Sequence, residues 1–387
     1  MSQITDIFRK YYNRCEKKYT LANHTRKAAW NIINCRTQAM GGHIQKCPEG
    51  HYYQVWYNSC KHRMCPQCSE LDKEKWIQKQ SAKILDTHHH HAVFTIPHQF
   101  NELWLSNPKK MTGILFRTAK EALFCMLEND KFLGAYPGMI ATLHTWGETL
   151  IFHPHLHCLV TGGGITKEGK WKESSKGFLV PVKGRGLMSV FRAKFIDKVN
   201  ELISKKELKI PKEKSLEEIN NILKEQKEIK WNVFIDKEAV ENNGVIKYLG
   251  SYIKGGAISD DRIISYNEKE VKFYYKDNKD KRTKKVMTLK TEEFIRRFLL
   301  HVPPKNLKVV RHYGLYAGAK REELDKCRKR FGQGKVEYPE EISWQDYCEE
   351  QGREDLGRCP ECGRELIKGR ELDPRSILAI KERKKLT

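Results

Sequence analysis

The sequence has no long hydrophobic run, and this absence sets the first limit on its function. No stretch of about 18 apolar residues occurs in the chain, so no segment has the length of a membrane-spanning helix. The charged N-terminus MSQITDIFRKYY has no apolar core of a secretory signal. A G-x-x-x-x-G-K-[ST] loop is also absent, so nothing indicates a nucleotide cofactor. We therefore expect a cytoplasmic protein that acts without a membrane and without ATP.

Acidic residues are scarce relative to basic ones. The 387 residues include 72 Lys and Arg but only 49 Asp and Glu, which gives a formal net charge of +23. Such an excess is typical of chains that bind nucleic acid or an anionic membrane, although a lysine-rich surface alone would also produce it. With 39% hydrophobic and 31% charged residues, the composition excludes wholesale disorder and predicts two or three globular domains.

The hydrophobic periodicity alternates between helical and strand-like segments. Apolar residues at helical spacing predict helices within residues 1–42, 70–86, 108–128 and 291–300. Apolar runs rich in β-branched residues predict strands at 92–96, 139–146, 153–161 and 231–235, and a hairpin within 263–289. We expect 139–146 and 153–161 to pair antiparallel, and the Lys- and Glu-rich residues 196–230 to form a helical insertion on the surface. Together these elements predict an α+β fold.

Cysteine and histidine are concentrated in one short segment. In a reducing compartment the 12 cysteines should be thiols or metal ligands rather than disulfides. The C-x-x-C spacing of Cys65 and Cys68 is typical of a tetrahedral zinc site. Cys47 and either His51 or Cys60 would complete it, so five residues compete for four positions. Because so short a segment has little core of its own, we expect a structural zinc.

A second C-x-x-C pair lies near the C-terminus. Cys359 and Cys362 flank Pro and Glu, as in a zinc knuckle. The sequence leaves the partners of a second zinc site open: Cys348 and Cys327 lie upstream, and His312 is more distant.

Three histidines alternate along one predicted strand. Side chains two residues apart on a strand share a face, so His155 and His157 form half of a metal site. His153 is in phase with them, but it lies about 13 Å from His157 along the strand. For the third ligand we favour Glu148, with His144 as the second choice. An oxygen ligand at that position would suit Mg²⁺ or Mn²⁺.

Two tyrosines are spaced four residues apart in a predicted helix. Tyr248 and Tyr252 would share one helical face. A tyrosine can act as a nucleophile when cations ease the loss of its proton, and Lys247 and Lys254 lie beside the pair. The same spacing also suits two tyrosines packed in a core.

Taken in order, these motifs resemble a known family. The chain is similar to rolling-circle transposases of the insertion-sequence-91 family, within the class of HUH (His-hydrophobe-His) single-strand nucleases. The resemblance extends over most of the chain and rests on short blocks at residues 6–8, 41–43, 58–60, 63–66, 93–98, 143–147, 153–157, 162–164, 248–252, 257–259, 293–299 and 311–314. It departs from the family at Cys47–His51, where one thiol stands in place of a first C-x-x-C pair, and at Glu148, where the family often has Gln.

The resemblance implies a function and a role for each motif. It implies a metal-dependent nuclease and strand transferase that acts on single-stranded transposon ends and target DNA. His155 and His157 would bind the divalent ion, and Tyr248 and Tyr252 would form a 5′-phosphotyrosine bond. Such a bond conserves the energy of the cut phosphodiester, so rejoining needs no ATP. The cations expected to contact DNA are Lys247, Lys254 and Arg63.

The class fold is a central antiparallel sheet with helices, in which the histidine strand lies in the middle. We place this HUH core at residues 88–315, after a helical and zinc-binding domain at 1–87 and before a small cysteine-containing region at 316–387. Two alternatives stay open at this point. One is a replication initiator or relaxase with the same chemistry, and the other is a zinc-containing DNA-binding protein without catalysis.

Overall fold

The computed structural model describes residues 2–174, 185–236, 256–277, 280–350 and 357–374, together with residues 250 and 352. Within these residues the architecture is α+β, as the sequence predicts, and no helix is long and apolar enough to cross a membrane. The helices are α1 Gln3–Lys18, α2 Asn23–Asn34, α3 Ser69–Ser81, α4 Asn101–Ser106, α5 Pro108–Leu127, α6 Arg185–Ser204, α7 Leu216–Glu228, α8 Thr291–Leu300, α9 Arg321–Arg330 and α10 Trp344–Glu350. The strands are β1 Gly42–Lys46, β2 Tyr53–Tyr57, β3 His89–Thr95, β4 Tyr136–Trp146, β5 Phe152–Ile165, β6 Trp171–Glu173, β7 Val233–Ile235, β8 Ile263–Tyr266, β9 Glu270–Asp277, β10 Thr283–Lys290, β11 Val310–Gly314 and β12 Ile367–Leu372.

A six-stranded antiparallel sheet forms the centre of the molecule. Its strand order is β11-β4-β5-β3-β7, and β6 pairs with the end of β5. The histidine strand β5 therefore lies in the middle, and its predicted antiparallel pairing with β4 is confirmed. The three glycines that end β5 allow close packing, because a side chain at Gly162 would collide with the ring of His88 and one at Gly163 with Trp171.

One face of this sheet is covered by helices α4 to α7. Alternate residues of β3, β4 and β5, such as Phe94, Leu143 and Leu156, are buried against α5. The prediction that residues 196–230 are helical is confirmed, but the prediction that they lie on the surface is wrong for α6. Ile196 and Val199 of α6 are fully buried in the main core. When composition is averaged over residues 196–230, the many charged residues of the following helix α7 hide the apolar residues of α6.

The opposite face of the sheet carries the histidines. Next to them, Ile140 and Leu159 pack against the end of α3 and against α9. A separate core joins α1 and α2 to α8 and to the three-stranded sheet β8-β9-β10. Helix α1 begins at an N-cap, where the Ser2 side chain accepts a hydrogen bond from the backbone of Thr5 at 3.2 Å.

The two ends of the described chain meet in a third sheet. Strand β12 pairs antiparallel with β1, which also pairs with β2. The cysteine-containing C-terminal region is thereby placed beside the N-terminal cysteine segment. The domain boundaries proposed from sequence stay a prediction.

Candidate active site and metal clusters

Three histidine side chains converge at the centre of the sheet. His144 of β4 lies directly opposite His155 of β5, and Thr142 opposite His157, so both strands present imidazoles to one face. The Nε2 atoms of His155 and His157 are 3.0 Å apart, and all three rings offer a nitrogen within 4.8 Å of the others. Two ligands at right angles on an ion with bonds of about 2.1 Å are about 3.0 Å apart, so the donor set fits one divalent ion.

The far sides of the His155 and His157 rings are each held by a hydrogen-bond partner. His155 Nδ1 lies 2.7 Å from the backbone oxygen of His153, so it donates there. His157 Nδ1 lies 2.8 Å from Nε2 of His91, whose ring stacks on His157. When Nδ1 donates in both rings, each Nε2 lone pair faces the gap between the rings. Histidines that bind metals are usually oriented in this way, by a hydrogen bond from the nitrogen that does not bind the metal. His153 therefore contributes its backbone rather than its ring.

Burial keeps the imidazoles neutral. It lowers the pKa of His155 to about 4 and lowers the pKa of His157 well below its usual range. At neutral pH both rings are therefore in the unprotonated form that a metal requires.

The structure brings His144, and not Glu148, to the histidine pair. Glu148 lies in the turn after β4, where its carboxylate pairs with Arg262 at 3.5 Å and accepts a hydrogen bond from the backbone of Lys276 at 3.3 Å. Strand register is the physical reason, since it sets His144 opposite His155, whereas the chain has left the sheet at Glu148. The third side chain at the pair is therefore an imidazole rather than the carboxylate expected from sequence. An all-imidazole set favours a transition metal such as Mn²⁺ over Mg²⁺, which binds through oxygen.

His91 is a positioning residue that the sequence analysis did not identify. We expect His91→Phe to weaken Mn²⁺ binding by about 10- to 100-fold, because phenylalanine keeps the stacked ring but removes the acceptor for His157. Isothermal titration with Mn²⁺ measures this change. His312→Gln is the matched control, since His312 faces the same side of the sheet but bonds Gln80 at 2.7 Å. Equal affinities of His91→Phe and the unaltered protein would contradict the positioning role.

A cluster of four cysteines lies between α2 and α3. It consists of Cys35, Cys60, Cys65 and Cys68, whose sulfurs lie within 4.8 Å of one another. Cys68 Sγ is 3.4 Å from Cys35 Sγ and 3.6 Å from Cys60 Sγ. A tetrahedral zinc with bonds of about 2.3 Å separates its sulfurs by about 3.8 Å, so the set fits Zn²⁺. Cys35 was missed from sequence because it lies far upstream of the knuckle.

A second cluster contains the remaining candidate ligands. Cys47 and His51 lie with Cys359 and Cys362, again within 4.8 Å. The five residues that the spacing assigned to one site are therefore divided between two. The physical reason is the pairing of β1 with β12, which brings the C-terminal knuckle to Cys47 and leaves Cys35 to complete the first cluster.

The predicted nucleophiles Tyr248 and Tyr252, with Lys247 and Lys254, lie outside the described residues. Gly250, between the tyrosines, is described. It is buried, and a side chain on it would collide with Ile77 of α3. Ile77 packs against the cluster of Ile140 and Leu159, on the histidine face of the sheet.

Arg63 lines a cavity of about 450 Å³ near the end of β4. Aromatic rings form part of its wall, among them Trp104, Trp146 and His301. The ring of Trp146 also stacks on His144, with 4.6 Å between the ring centres. The ring of Trp146 thus lies between the cavity and His144. The DNA contact expected of Arg63 stays a prediction.

Comparison with known proteins relates these sites to a family. The family model described as "Transposase zinc-binding domain" matches residues 7–96, and the model described as "Putative transposase" matches residues 138–323. The protein named "Putative transposase y4qJ", from Sinorhizobium fredii, is 34% identical over 93% of this chain and 92% of its own length. The "Transposase for insertion sequence element IS801" of Pseudomonas savastanoi pv. phaseolicola is 28% identical over 74% of this chain and 68% of its own length. No solved structure matches. The chain therefore belongs to the transposases of the insertion-sequence-91 type, with their zinc-binding domain at its N-terminal end.

Proposed function

We propose that this transposase cuts and rejoins single-stranded DNA by HUH chemistry, through a 5′-phosphotyrosine intermediate, in rolling-circle transposition. The observation that carries the proposal is the convergence of His144, His155 and His157 on one face of the central sheet. The two strands bring one nitrogen of each ring within 4.8 Å of the others, which makes the three imidazoles a donor set for one divalent ion. This cluster also lies within the residues matched by the model described as "Putative transposase", whereas a purely DNA-binding protein has no need of it.

Different residues of the chain have different roles at this site. A divalent ion held by the three imidazoles would polarise a phosphate oxygen and position the scissile bond. His91 and the backbone of His153 hold the two HUH rings in the binding orientation. In the cleavage step a tyrosine oxygen loses its proton and bonds to the scissile phosphorus, and the bond from phosphorus to the 3′-oxygen breaks. The 3′-oxygen takes up a proton, and the 5′ end stays on the tyrosine until another 3′-hydroxyl reverses the step.

Tyr248 and Tyr252 are the proposed nucleophiles. The position of Gly250 supports them, because it contacts α3 on the same face of the sheet as the histidines. With two tyrosines, one can hold a cleaved 5′ end while the other attacks the next strand, as strand transfer from one end requires.

Binding of a single strand is supported by charge and by the aromatic cavity. A net charge of +23 favours contact with a phosphate backbone. The cavity joins tryptophan rings to the guanidinium groups of Arg63 and Arg296, and such surfaces stack bases at about 1–3 kcal/mol per base. Because Trp146 lines the cavity and stacks on His144, a base bound in the cavity would lie near the scissile phosphate.

The tyrosine variants test this proposal. We expect Tyr248→Phe and Tyr252→Phe each to stop full transposition, while at least one of them still nicks an oligonucleotide and stays attached to it. The double variant should form no adduct, because no phenol is left to attack. Denaturing gels with Mn²⁺ and an oligonucleotide labelled at its 3′ end detect the protein–DNA adduct, which retains that label.

Tyr266→Phe is the matched control, because Tyr266 donates a hydrogen bond to Asp6 at 2.8 Å. It should form the adduct at the unaltered level. An adduct that persists in the Tyr248 and Tyr252 double variant would show that another residue is the nucleophile. Tyr266 and Tyr275 would be tested next. The absence of any adduct from the unaltered protein on single-stranded transposon ends would contradict the proposed function.

A further inference from the structure

Four soft ligands from the two ends of the chain meet at one point. Cys47 Sγ lies 3.5 Å from Cys362 Sγ and 3.9 Å from His51 Nδ1, and Cys359 completes a set within 4.8 Å. Three thiols and one imidazole within 4.8 Å of one another suit Zn²⁺. Half of this set lies beyond residue 323, outside both family matches.

The two loops that supply the ligands have the same backbone construction. In the first loop the Cys47 N–H donates to Tyr52 O at 2.7 Å and the Gly50 N–H to Cys47 O at 3.0 Å. In the second loop the Cys359 N–H donates to Arg364 O at 2.8 Å and the Gly363 N–H to Cys359 O at 2.9 Å. Both glycines have positive φ, 78° at Gly50 and 70° at Gly363, which turns the chain around the ligands. Structural zinc sites are usually built from two such turns that face one another and each supply two ligands.

Apolar packing around the cluster is too small to hold this region together. Among the described residues, its buried apolar group consists of Cys47, Cys359 and Leu366, with Tyr52 packed against them. Ile367 at the start of β12 is 46% exposed, and Tyr53 on β2 is 76% exposed. An ion pair between Arg364 and Glu49 adds little, since both side chains are largely in water. A metal supplies the missing stabilisation, as it does in other regions with so little core.

We propose that Cys47, His51, Cys359 and Cys362 bind a second structural Zn²⁺, which fastens the C-terminal segment of residues 357–374 to the N-terminal zinc-binding domain. The two zinc sites then have different tasks. The four-cysteine site stabilises the packing of α1, α2 and α8, whereas the second site closes the sheet β12-β1-β2. The second zinc site holds only this small sheet together. Loss of its zinc therefore leaves the histidine cluster intact.

Zinc content of the purified full-length chain tests this proposal. Elemental analysis of the unaltered protein should find two zinc ions per chain, and Cys362→Ser should retain one. Cys125→Ser is the matched control, because Cys125 is an exposed thiol on α5, and it should retain two. Trypsin should cut Cys362→Ser at Arg358 and Arg364 at least tenfold faster than the control, since the freed segment no longer pairs with β1.

Three results would overturn the proposal, and the first does not depend on how any variant folds. The first is a single zinc ion per chain in the unaltered protein. The second is a disulfide between Cys47 and Cys362, found by mass spectrometry of protein kept under reducing conditions. The third is a Cys362→Ser variant that retains two zinc ions and the protease resistance of the control.

Discussion

His155→Ala is expected to reduce the rate of single-strand cleavage by on the order of 10³-fold while it leaves the affinity for the strand within about twofold. A divalent ion contributes several kcal/mol of transition-state stabilisation, and each 1.4 kcal/mol corresponds to about tenfold in rate. Strand affinity rests on phosphate contacts spread over a chain of net charge +23, so one neutral ring contributes little to it. Cleavage under single-turnover conditions and binding by fluorescence anisotropy measure the two effects separately.

Glu148→Gln is the control for this prediction. Glu148 was the first choice for the third ligand from sequence, but its carboxylate pairs with Arg262 instead of facing His155. Its cleavage rate should stay within about fivefold of the unaltered protein, because a half-buried ion pair outside the histidine cluster contributes on the order of 1 kcal/mol. Equal loss of binding and cleavage in His155→Ala would argue against the assignment, as would a 10³-fold loss of cleavage in Glu148→Gln.

Cys65→Ser should have the largest effect on folding. Cys65 is fully buried in a core that includes Phe8 and Ile32 of the first two helices and Phe298 of α8. Structural zinc contributes about 10–16 kcal/mol of binding free energy at neutral pH, which is comparable to the whole stability of a typical domain, about 5–15 kcal/mol. We therefore expect the variant to lose the zinc of the four-cysteine cluster and to accumulate in the insoluble fraction.

The measurement combines zinc content with the thermal unfolding transition of whatever protein remains in solution. Cys125→Ser again serves as the control, and it should unfold like the unaltered chain. Comparison with Cys362→Ser separates the two zinc sites, since that variant should stay folded. A fully active Cys65→Ser variant with an unchanged transition would show that the cluster does not stabilise the fold.

The sequence predicted those parts of the site that depend on local spacing. Alternation along β5 placed His155 and His157 on one face, and this follows from strand geometry alone. The third histidine could not be chosen with the same certainty, because His144 reaches the pair only through the register of β4 against β5. A displacement of one residue in that register would have turned His144 to the other face.

The zinc ligands illustrate the same limit over a longer distance. The knuckle of Cys65 and Cys68 is a local pattern, and it was predicted. Cys47 and Cys359 are brought together only by the pairing of β1 with β12, which no local periodicity reveals. Once Cys47 is assigned to the C-terminal knuckle, the first cluster lacks a ligand, and Cys35 at the end of α2 supplies it.

The most direct test of the account is to identify the ligands of the catalytic ion. We propose electron spin-echo spectroscopy of Mn²⁺ bound to protein labelled with ¹⁵N-histidine, after the structural zinc sites have been filled. The account predicts one Mn²⁺ per chain coupled to three imidazole nitrogens, two in His144→Ala, and three in Glu148→Gln. Mn²⁺ without histidine coupling, or with coupling unchanged in His144→Ala, would contradict the claim that His144, His155 and His157 form the metal centre.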